Sequence, residues 1–118
     1  MDIESFRYYC LQKSGVTEGF PFNETTLVFK VGDKMFALTD INEEFGIALK
    51  CDPEFSIELR ERFSDITPAY HMNKTHWINV NNAGFFDEQL LIKLIDHSHK
   101  LVFDKLAKAI KNGILNSQ

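Results

Sequence analysis

Hydrophobic residues alternate with polar residues in the first half of the chain, and this alternation predicts β-strands. Leu27, Phe29 and Val31 recur at every second position, which is the spacing of side chains on one face of a strand. The dipeptide Gly32-Asp33 follows directly and predicts a two-residue hairpin. Three successive strands with short links then form an antiparallel meander. The predicted strands cover residues 25–31, 34–39 and 45–50.

Apolar residues at helical spacing predict three helices, and each helix begins near an aspartate that can cap its first turn. Asp2 precedes the first predicted helix, which ends before Gly15. Asp52 and Pro53 begin the second, because proline is well suited to the first helical turn. The last helix starts at Asp87 and keeps the 3.6-residue period for about six turns. The predicted helices cover 2–13, 53–63 and 87–113.

Two shorter strands are predicted over 67–71 and 76–80, joined by a tight turn. Residues 16–23 are predicted to be irregular, with Phe20 and Phe22 closing one end of the core. The resulting order is helix, three strands, helix, two strands, helix. Runs of strands interrupted by helices predict an α+β fold, with one antiparallel sheet packed against the helices.

The composition is that of a globular domain. The chain has 118 residues, of which 44% are hydrophobic and 25% charged. One domain over 1–118 is therefore expected, with 113–118 as a frayed tail. Cys10 and Cys51 are too few for a disulfide framework, and the acidic start lacks a secretory signal, so a reduced, cytoplasmic protein is expected. We expect a monomer, with no cofactor and no membrane partner.

The net charge of −4 opposes non-specific nucleic-acid binding, which depends on neutralising phosphates. The segment from Tyr70 to Trp77 nevertheless places Lys74 at a predicted hairpin tip among aromatic residues. Such a tip is typical of a groove-reading wing or a base-stacking platform. Asp33 and the acidic link over 40–44 occupy the other turns and would repel phosphates. A lone tryptophan in a short strand more often faces the core, and a buried Trp77 would offer no stacking surface.

The same segment contains two histidines that could form a different kind of site. If Asn73-Lys74 forms the turn, His71 and His76 face each other across the hairpin, with Cβ atoms about 5 Å apart. Such a pair could hold a metal or share a proton, or could simply be hydrogen-bonded or solvated. A metal needs further ligands, so none is assigned. A small-molecule pocket here would use Lys50, Cys51, Tyr70, His71, His76 and Trp77.

Catalytic motifs are absent from the sequence: it has no G-x-S-x-G, no H-E-x-x-H and no glycine-rich phosphate loop. Cys10 is expected to be buried and inert. Cys51 precedes a helix start that could lower the pKa of its thiol, while Asp52 would raise it. Asp96 and Lys100 are expected to form an ordinary surface pair. We therefore do not expect an enzyme.

Five stretches of the sequence resemble the MmcQ/YjbR family of small bacterial proteins. The resemblance implies the same order of helices and strands, in a fold that has been likened to type III secretion chaperones and to CyaY-like proteins. It implies no catalytic residues. The stretches are Phe20-Pro21-Phe22, Val28 to Leu38, Leu49 to Glu54, Pro68 to Trp77, and Leu94 to Ser98.

Three hypotheses about function follow. Members of this family are often described as predicted DNA-binding proteins with two hairpin wings, so the first hypothesis is a DNA-binding module. The second is a protein-interaction or chaperone-like module that uses the open face of the sheet. The third is the small-molecule or metal site around His71 and His76. The residues assigned to DNA binding are Lys30, Lys34, Lys50, His71, Asn73, Lys74, His76 and Trp77.

Overall fold

The computed structural model describes residues 1–42, 46–81 and 87–116. Over these segments the chain has the predicted α+β architecture, with helices packed on an antiparallel sheet. The strands lie in the order β1-β2-β3-β4-β6-β5 across the sheet. The helices are α1 (Ile3–Leu11), α2 (Pro53–Arg62), α3 (Glu88–Asp104) and α4 (Lys108–Asn116). The strands are β1 (Val16–Gly19), β2 (Thr26–Val31), β3 (Lys34–Asp40), β4 (Gly46–Lys50), β5 (Ile66–Pro68) and β6 (Trp77–Asn81).

Aspartates cap three of the helices, as the sequence predicts. The Asp2 carboxylate accepts a hydrogen bond from the Ser5 N–H at 2.7 Å, and Asp52 accepts one from the Phe55 N–H at 3.1 Å. Asp87 does the same at the start of α3. Each cap satisfies an N–H that has no partner within its own helix, so short local motifs determine where these helices begin.

The predicted meander of β2, β3 and β4 is confirmed, although its expected first residue in the third strand, Phe45, lies outside the described residues. Gly32 has φ +56° and Asp33 has φ +68°. Positive φ at both central residues is the requirement of a type I′ hairpin, whose twist matches that of the strands. The turn between β2 and β3 is therefore encoded by these two residues.

The core lies between one face of the sheet and helices α1, α2 and α3. Phe29 from β2 and Phe6 from α1 meet edge to face, with ring centroids 5.3 Å apart. Both are fully buried, as are Leu49 of β4 and Ile95 of α3. Alternate residues of the central strands thus bury one face, as the two-residue period predicts. The opposite face carries no described helix.

The structure corrects the prediction for 16–23. Val16–Gly19 forms strand β1, which pairs with β2 at the edge of the sheet. This strand has one large apolar residue and no alternation, so its pairing depends on β2 rather than on its own sequence. Phe20 and Phe22 do not close the core, since their side chains are 46% and 63% exposed.

The predicted last helix is two helices. α3 ends at Asp104, and the N–H groups of Lys105 and Leu106 bond to carbonyls three residues back, which tightens the chain before α4. Leu106 is buried here against the β2–β3 turn. Because the apolar period continues through Leu106 into α4, periodicity alone cannot reveal the break. Gly113, the predicted end, lies inside α4, and 113–116 are helical where a frayed tail was predicted. Residues 117–118 lie outside the described residues.

The last two strands are shorter at their shared turn than predicted. β5 ends at Pro68, and residues 70–76 form turns and bends rather than strand. The predicted turn after β6 falls largely outside the described residues. Pro68 pairs with Ile78, so an extended ladder would set Tyr70, and not His71, opposite His76. The predicted cross-strand histidine pair is therefore wrong.

The β2–β3 turn yields a prediction about stability. A Cβ on Gly32 would lie 2.5 Å from a Leu106 methyl carbon, at a φ that L-residues rarely adopt. We expect Gly32→Ala to lower the free energy of unfolding by about 2 kcal/mol, from backbone strain and the clash together. Gly113→Ala is the matched control, because nothing lies within 4 Å of its added Cβ and alanine favours a helix. It should raise stability by up to about 1 kcal/mol. Urea unfolding of both variants measures the contrast, and equal effects would mean that the turn does not require glycine.

Candidate functional site

Several turns of the chain lie at the same end of the sheet. β2 and β4 run toward this end, while β3 and β6 start from it. We call it the hairpin end and define it by the Gly32–Asp33 turn, Lys50 at the end of β4, and residues 69–76. The C-terminal end of α3 also reaches it, through the contact of Leu106 with Gly32. Residues from four separate parts of the sequence are thereby brought together.

Lysines accumulate at the hairpin end. Lys34 begins β3, Lys50 ends β4, Lys74 lies between β5 and β6, and Lys105 follows α3. Lys30 lies near the end of β2, in a depression that Glu18 and Asp33 also line. Within the described segments none of these ammonium groups forms an ion pair. Asp33, Asp52 and Asp104 are one or two residues away from Lys34, Lys50 and Lys105 in the sequence, but they form no ion pair with them.

Several carboxylates without a neighbouring lysine in the sequence lie at the opposite end of the sheet. Asp40 ends β3 there, Asp65 precedes β5, and Asp87 caps α3. At the hairpin end, Asp33 lies in the turn, Asp104 ends α3 in an ion pair with Lys100, and the Asp52 carboxylate accepts its capping hydrogen bond. The two ends of the described molecule therefore differ in charge, which the net charge of the chain conceals.

Residues 69–76 form a compact loop around Asn73. The Asn73 side chain accepts a hydrogen bond from the Thr75 N–H at 2.9 Å, and its backbone carbonyl accepts from the N–H groups of His76 and Trp77. The Lys74 ammonium lies 5.2 Å from the centroid of the Tyr70 ring, a cation–π contact. Asn73 thus organises the loop, and Lys74 stays exposed at its tip.

Trp77 does not offer a stacking surface. Its side chain is 7% exposed and packs with Ala48 and Ala69 on the helix-free face, alongside Met35 and Met72. Of the two orientations left open by the sequence, Trp77 adopts the buried one, so the hypothesis that it forms a base-stacking platform is not supported. His71 and His76 are both exposed, and the described residues contain no group of three side chains that could hold a metal ion.

Both cysteines are buried and unreactive. Burial raises the pKa of the Cys51 thiol to about 12, and the neighbouring Asp52 adds to the shift. Burial likewise raises the pKa of Cys10 to about 12, in line with the expectation that Cys10 is inert. The pKa of Cys51 is therefore raised rather than lowered, although a helix starts beside it. Neither thiol supplies a thiolate at neutral pH.

The Ser98 hydroxyl joins α3 to two strands. It donates a hydrogen bond to the Phe36 carbonyl at 2.5 Å and accepts one from the Lys50 N–H at 2.9 Å. Phe36 is the extra residue of a bulge, because Phe29 pairs with Ala37 while Lys30 pairs with Met35. A fully buried serine thus fixes the backbone of Lys50. A lone serine in a helix carries no sequence signal that predicts this role.

Neighbouring residues of α3 also anchor the site. His97 Nε2 accepts a hydrogen bond from the Asp52 N–H at 3.2 Å, at the junction of β4 and α2. Burial lowers the pKa of His97, so the ring is held in the neutral form that accepts this bond.

Asp96 does not pair with Lys100 as predicted. It accepts hydrogen bonds from the Tyr9 hydroxyl at 2.7 Å and the Lys13 ammonium at 2.6 Å, which tie α1 to α3.

Two concave regions border these residues. A cleft of about 570 Å³, which we call the lysine cleft, lies between the hairpin and the end of α3; its lining includes Lys34, Lys50, Trp77 and Lys105. A groove of about 750 Å³, which we call the sheet groove, crosses the helix-free face over Gly46 and Ala48. Predicted pocket residues are divided between them, since Tyr70 and His71 line the groove. Cys51 and His76 line neither.

Comparison with known proteins identifies the family. The YjbR family model matches residues 11–101. The chain belongs to the YjbR family. It is 42% identical over 90 residues to the uncharacterized protein YbdF of Escherichia coli O157:H7, covering 75% of this chain and 74% of that protein. It is 30% identical over 101 residues to the uncharacterized protein YjbR of Escherichia coli K12, covering 85% of this chain and 86% of that one. The predicted family is thereby confirmed.

Solved structures agree with the YjbR fold. A Deinococcus radiodurans protein with a DUF419 domain superposes with a TM-score of 0.89 at 39% identity, covering 95% of this chain and 86% of its own. A Pseudomonas syringae protein gives 0.73 at 32% identity, covering 86% of this chain and 99% of its own. No helix in the described segments is long and apolar enough to cross a membrane.

The Ser98 hydrogen bonds yield a second prediction. Ser98→Ala removes the hydrogen-bond partner of a buried carbonyl and of a part-buried N–H, so we expect a loss of about 1–3 kcal/mol in the free energy of unfolding. Ser56→Ala is the matched control: Ser56 is as deeply buried in α2, but its hydroxyl has no hydrogen-bond partner among the described residues. That change should be neutral or slightly stabilising. Urea denaturation compares the two, and a similar loss in both would refute the role of Ser98.

Proposed function

We propose that this YjbR-family protein binds nucleic acid through its hairpin end, with lysine ammonium groups contacting phosphates. The observation that carries the proposal is the set of lysines at this end that form no ion pair with any described residue. The proposed contacts are made by Lys30, Lys34, Lys50 and Lys74. His71, Asn73 and His76, which are exposed on the same loop as Lys74, can add hydrogen bonds to the backbone.

The net charge of −4 opposes nucleic-acid binding, but the charges that matter are those close to the bound phosphate. Screening limits the reach of surface charges to about 10 Å at 0.1 M salt. Strand β3 runs from Lys34 at the hairpin end to Asp40 at the other end and spans about 20 Å, at about 3.3 Å per residue. A phosphate at the hairpin end is therefore governed by the nearby lysines, and carboxylates at the opposite end contribute little to its energy.

The proposed recognition is of the backbone rather than of the bases. Trp77 is buried and cannot stack on a base. Contacts to phosphate carry no sequence information by themselves. We therefore expect sequence-tolerant binding with a dissociation constant of about 10⁻⁴–10⁻⁶ M at physiological salt.

A second candidate function is the binding of a protein segment in the sheet groove. Phe22 and Tyr70 stand at its borders with side chains 63% and 67% exposed, and small residues such as Ala48 line it. No lysine lines this groove among the described residues. Binding there would depend little on salt, so it is distinguishable from phosphate binding.

Anisotropy of a fluorescently labelled DNA duplex, titrated with protein at several salt concentrations, tests the proposal. Four phosphate contacts predict a slope of about −3.6 for the logarithm of the association constant against that of the salt concentration. Lys74→Glu should weaken binding and make the slope shallower by about 1. Lys93→Glu is the control, because it makes the same charge change at an exposed site of α3 away from the hairpin end.

Two results would count against phosphate binding. One is the absence of saturable binding at low salt, which would favour the sheet groove. The other is an equal effect of Lys74→Glu and Lys93→Glu, which would mean that only net charge matters.

A further inference from the structure

The lysine cleft has the size and the mixed lining of a small-molecule site. Its volume of about 570 Å³ lies within the range of about 300–1,000 Å³ that is usual for such sites. One wall comes from the β2–β3 hairpin and the end of β4, and the other from the end of α3 and the start of α4. It is lined by Gly32, Lys34, Met35, Lys50, Trp77, Val102, Lys105, Leu106, Ala107 and Ile110.

Charge in this cleft has one sign. Lys34, Lys50 and Lys105 line it, and no carboxylate of the described residues does. The nearby Asp104 carboxylate pairs with Lys100 at 2.9 Å, and Asp33 lines a separate depression on the other side of the hairpin. An anion in the cleft would therefore meet three ammonium groups without an opposing carboxylate among the lining residues.

The partial negative charge at the C-terminal end of α3, which would repel an anion, is partly offset by a lysine. The Lys111 ammonium donates a hydrogen bond to the Asp104 carbonyl at 3.2 Å, so one of the last carbonyls of α3 has a cationic partner. Cations near a helix C-terminus offset its partial negative charge.

The rest of the lining is apolar. Ile110 projects from α4 with 46% of its surface exposed, which is high for so large an apolar side chain. Met35 is half-buried, and Leu106 and Val102 close the base. Burying the exposed part of Ile110 against an apolar group would be favourable, since it removes apolar surface from water.

We propose that the lysine cleft binds a small amphipathic anion, meaning an organic molecule with a phosphate, sulfonate or carboxylate group and an apolar body. The three lysines hold the charged group, and Ile110, Met35 and Leu106 contact the apolar body. This site goes beyond nucleic-acid binding and does not rest on it, because Lys105 and Ile110 have no part in that proposal. Lys34 and Lys50 are shared, so the two ligands should compete.

The test uses the full chain and the fluorescent amphipathic anion 8-anilinonaphthalene-1-sulfonate. Trp77 is the only tryptophan and lines the cleft, so saturable binding at one site should quench its emission. Lys105→Gln should weaken binding about three- to fivefold, the range of an exposed ion pair. Ile110→Ser should weaken it through the apolar contact. Lys93→Gln, an exposed change on α3 outside the cleft, should leave the dissociation constant unchanged.

Competition identifies what the cleft recognises. Octyl phosphate should displace the dye, whereas inorganic phosphate at the same concentration should not. Lys74→Glu lies outside the cleft and should leave dye binding unchanged while it weakens DNA binding, so the two proposals can fail separately. Dye binding that is absent, or that is equal in the wild type, Lys105→Gln and Ile110→Ser, would overturn the proposal. Circular dichroism shows whether each variant is folded. If Ile110→Ser does not fold, Lys105→Gln still tests the proposal.

Discussion

A buried hydroxyl group holds the hairpin end of this protein together. The register of β3 with β4 would set Phe36 opposite Lys50, one position beyond the last pair, Ala37 with Leu49. The Ser98 hydroxyl satisfies the Phe36 carbonyl and the Lys50 N–H together. Without it, a buried carbonyl and a part-buried N–H would both lose this hydrogen-bond partner. The central helix α3 therefore sets the geometry of the strand end from which Lys50 projects.

The remaining features of the hairpin end follow from topology. In an antiparallel sheet, every second chain reversal lies at the same end of the strands. The β2–β3 turn, Lys50 and the loop around Asn73 therefore lie at one end of the sheet. α3 reaches that end because Leu106 packs against Gly32. Lysines that are far apart in the sequence become neighbours, while carboxylates at the alternate turns are carried to the opposite end. The proposed binding of nucleic acid and of an amphipathic anion both depend on these lysines lying together at the hairpin end.

Features of the structure that depend on a few adjacent residues could be predicted from the sequence. The aspartate caps and the Gly32–Asp33 turn are of this kind, because their hydrogen bonds and dihedral angles are local. β1 could not be predicted, since it is a strand only by pairing with β2. The end of α3 could not be predicted either, because Leu106 keeps the helical period while the backbone leaves the helix. The Ser98 bridge and the lysine cleft depend on contacts between distant segments, which no spacing along the chain reveals.

Amide hydrogen exchange at Lys50, measured by NMR in the folded protein, tests most directly whether α3 holds this strand end. We expect the Lys50 amide to be protected as strongly as the amides paired within the sheet. In Ser98→Ala its exchange should accelerate by about tenfold or more, which corresponds to losing a buried hydrogen bond, and by more than that of the Phe29 amide. An equal change at Lys50 and Phe29 would mean that Ser98 contributes only to global stability, and would contradict its role in holding the strand end.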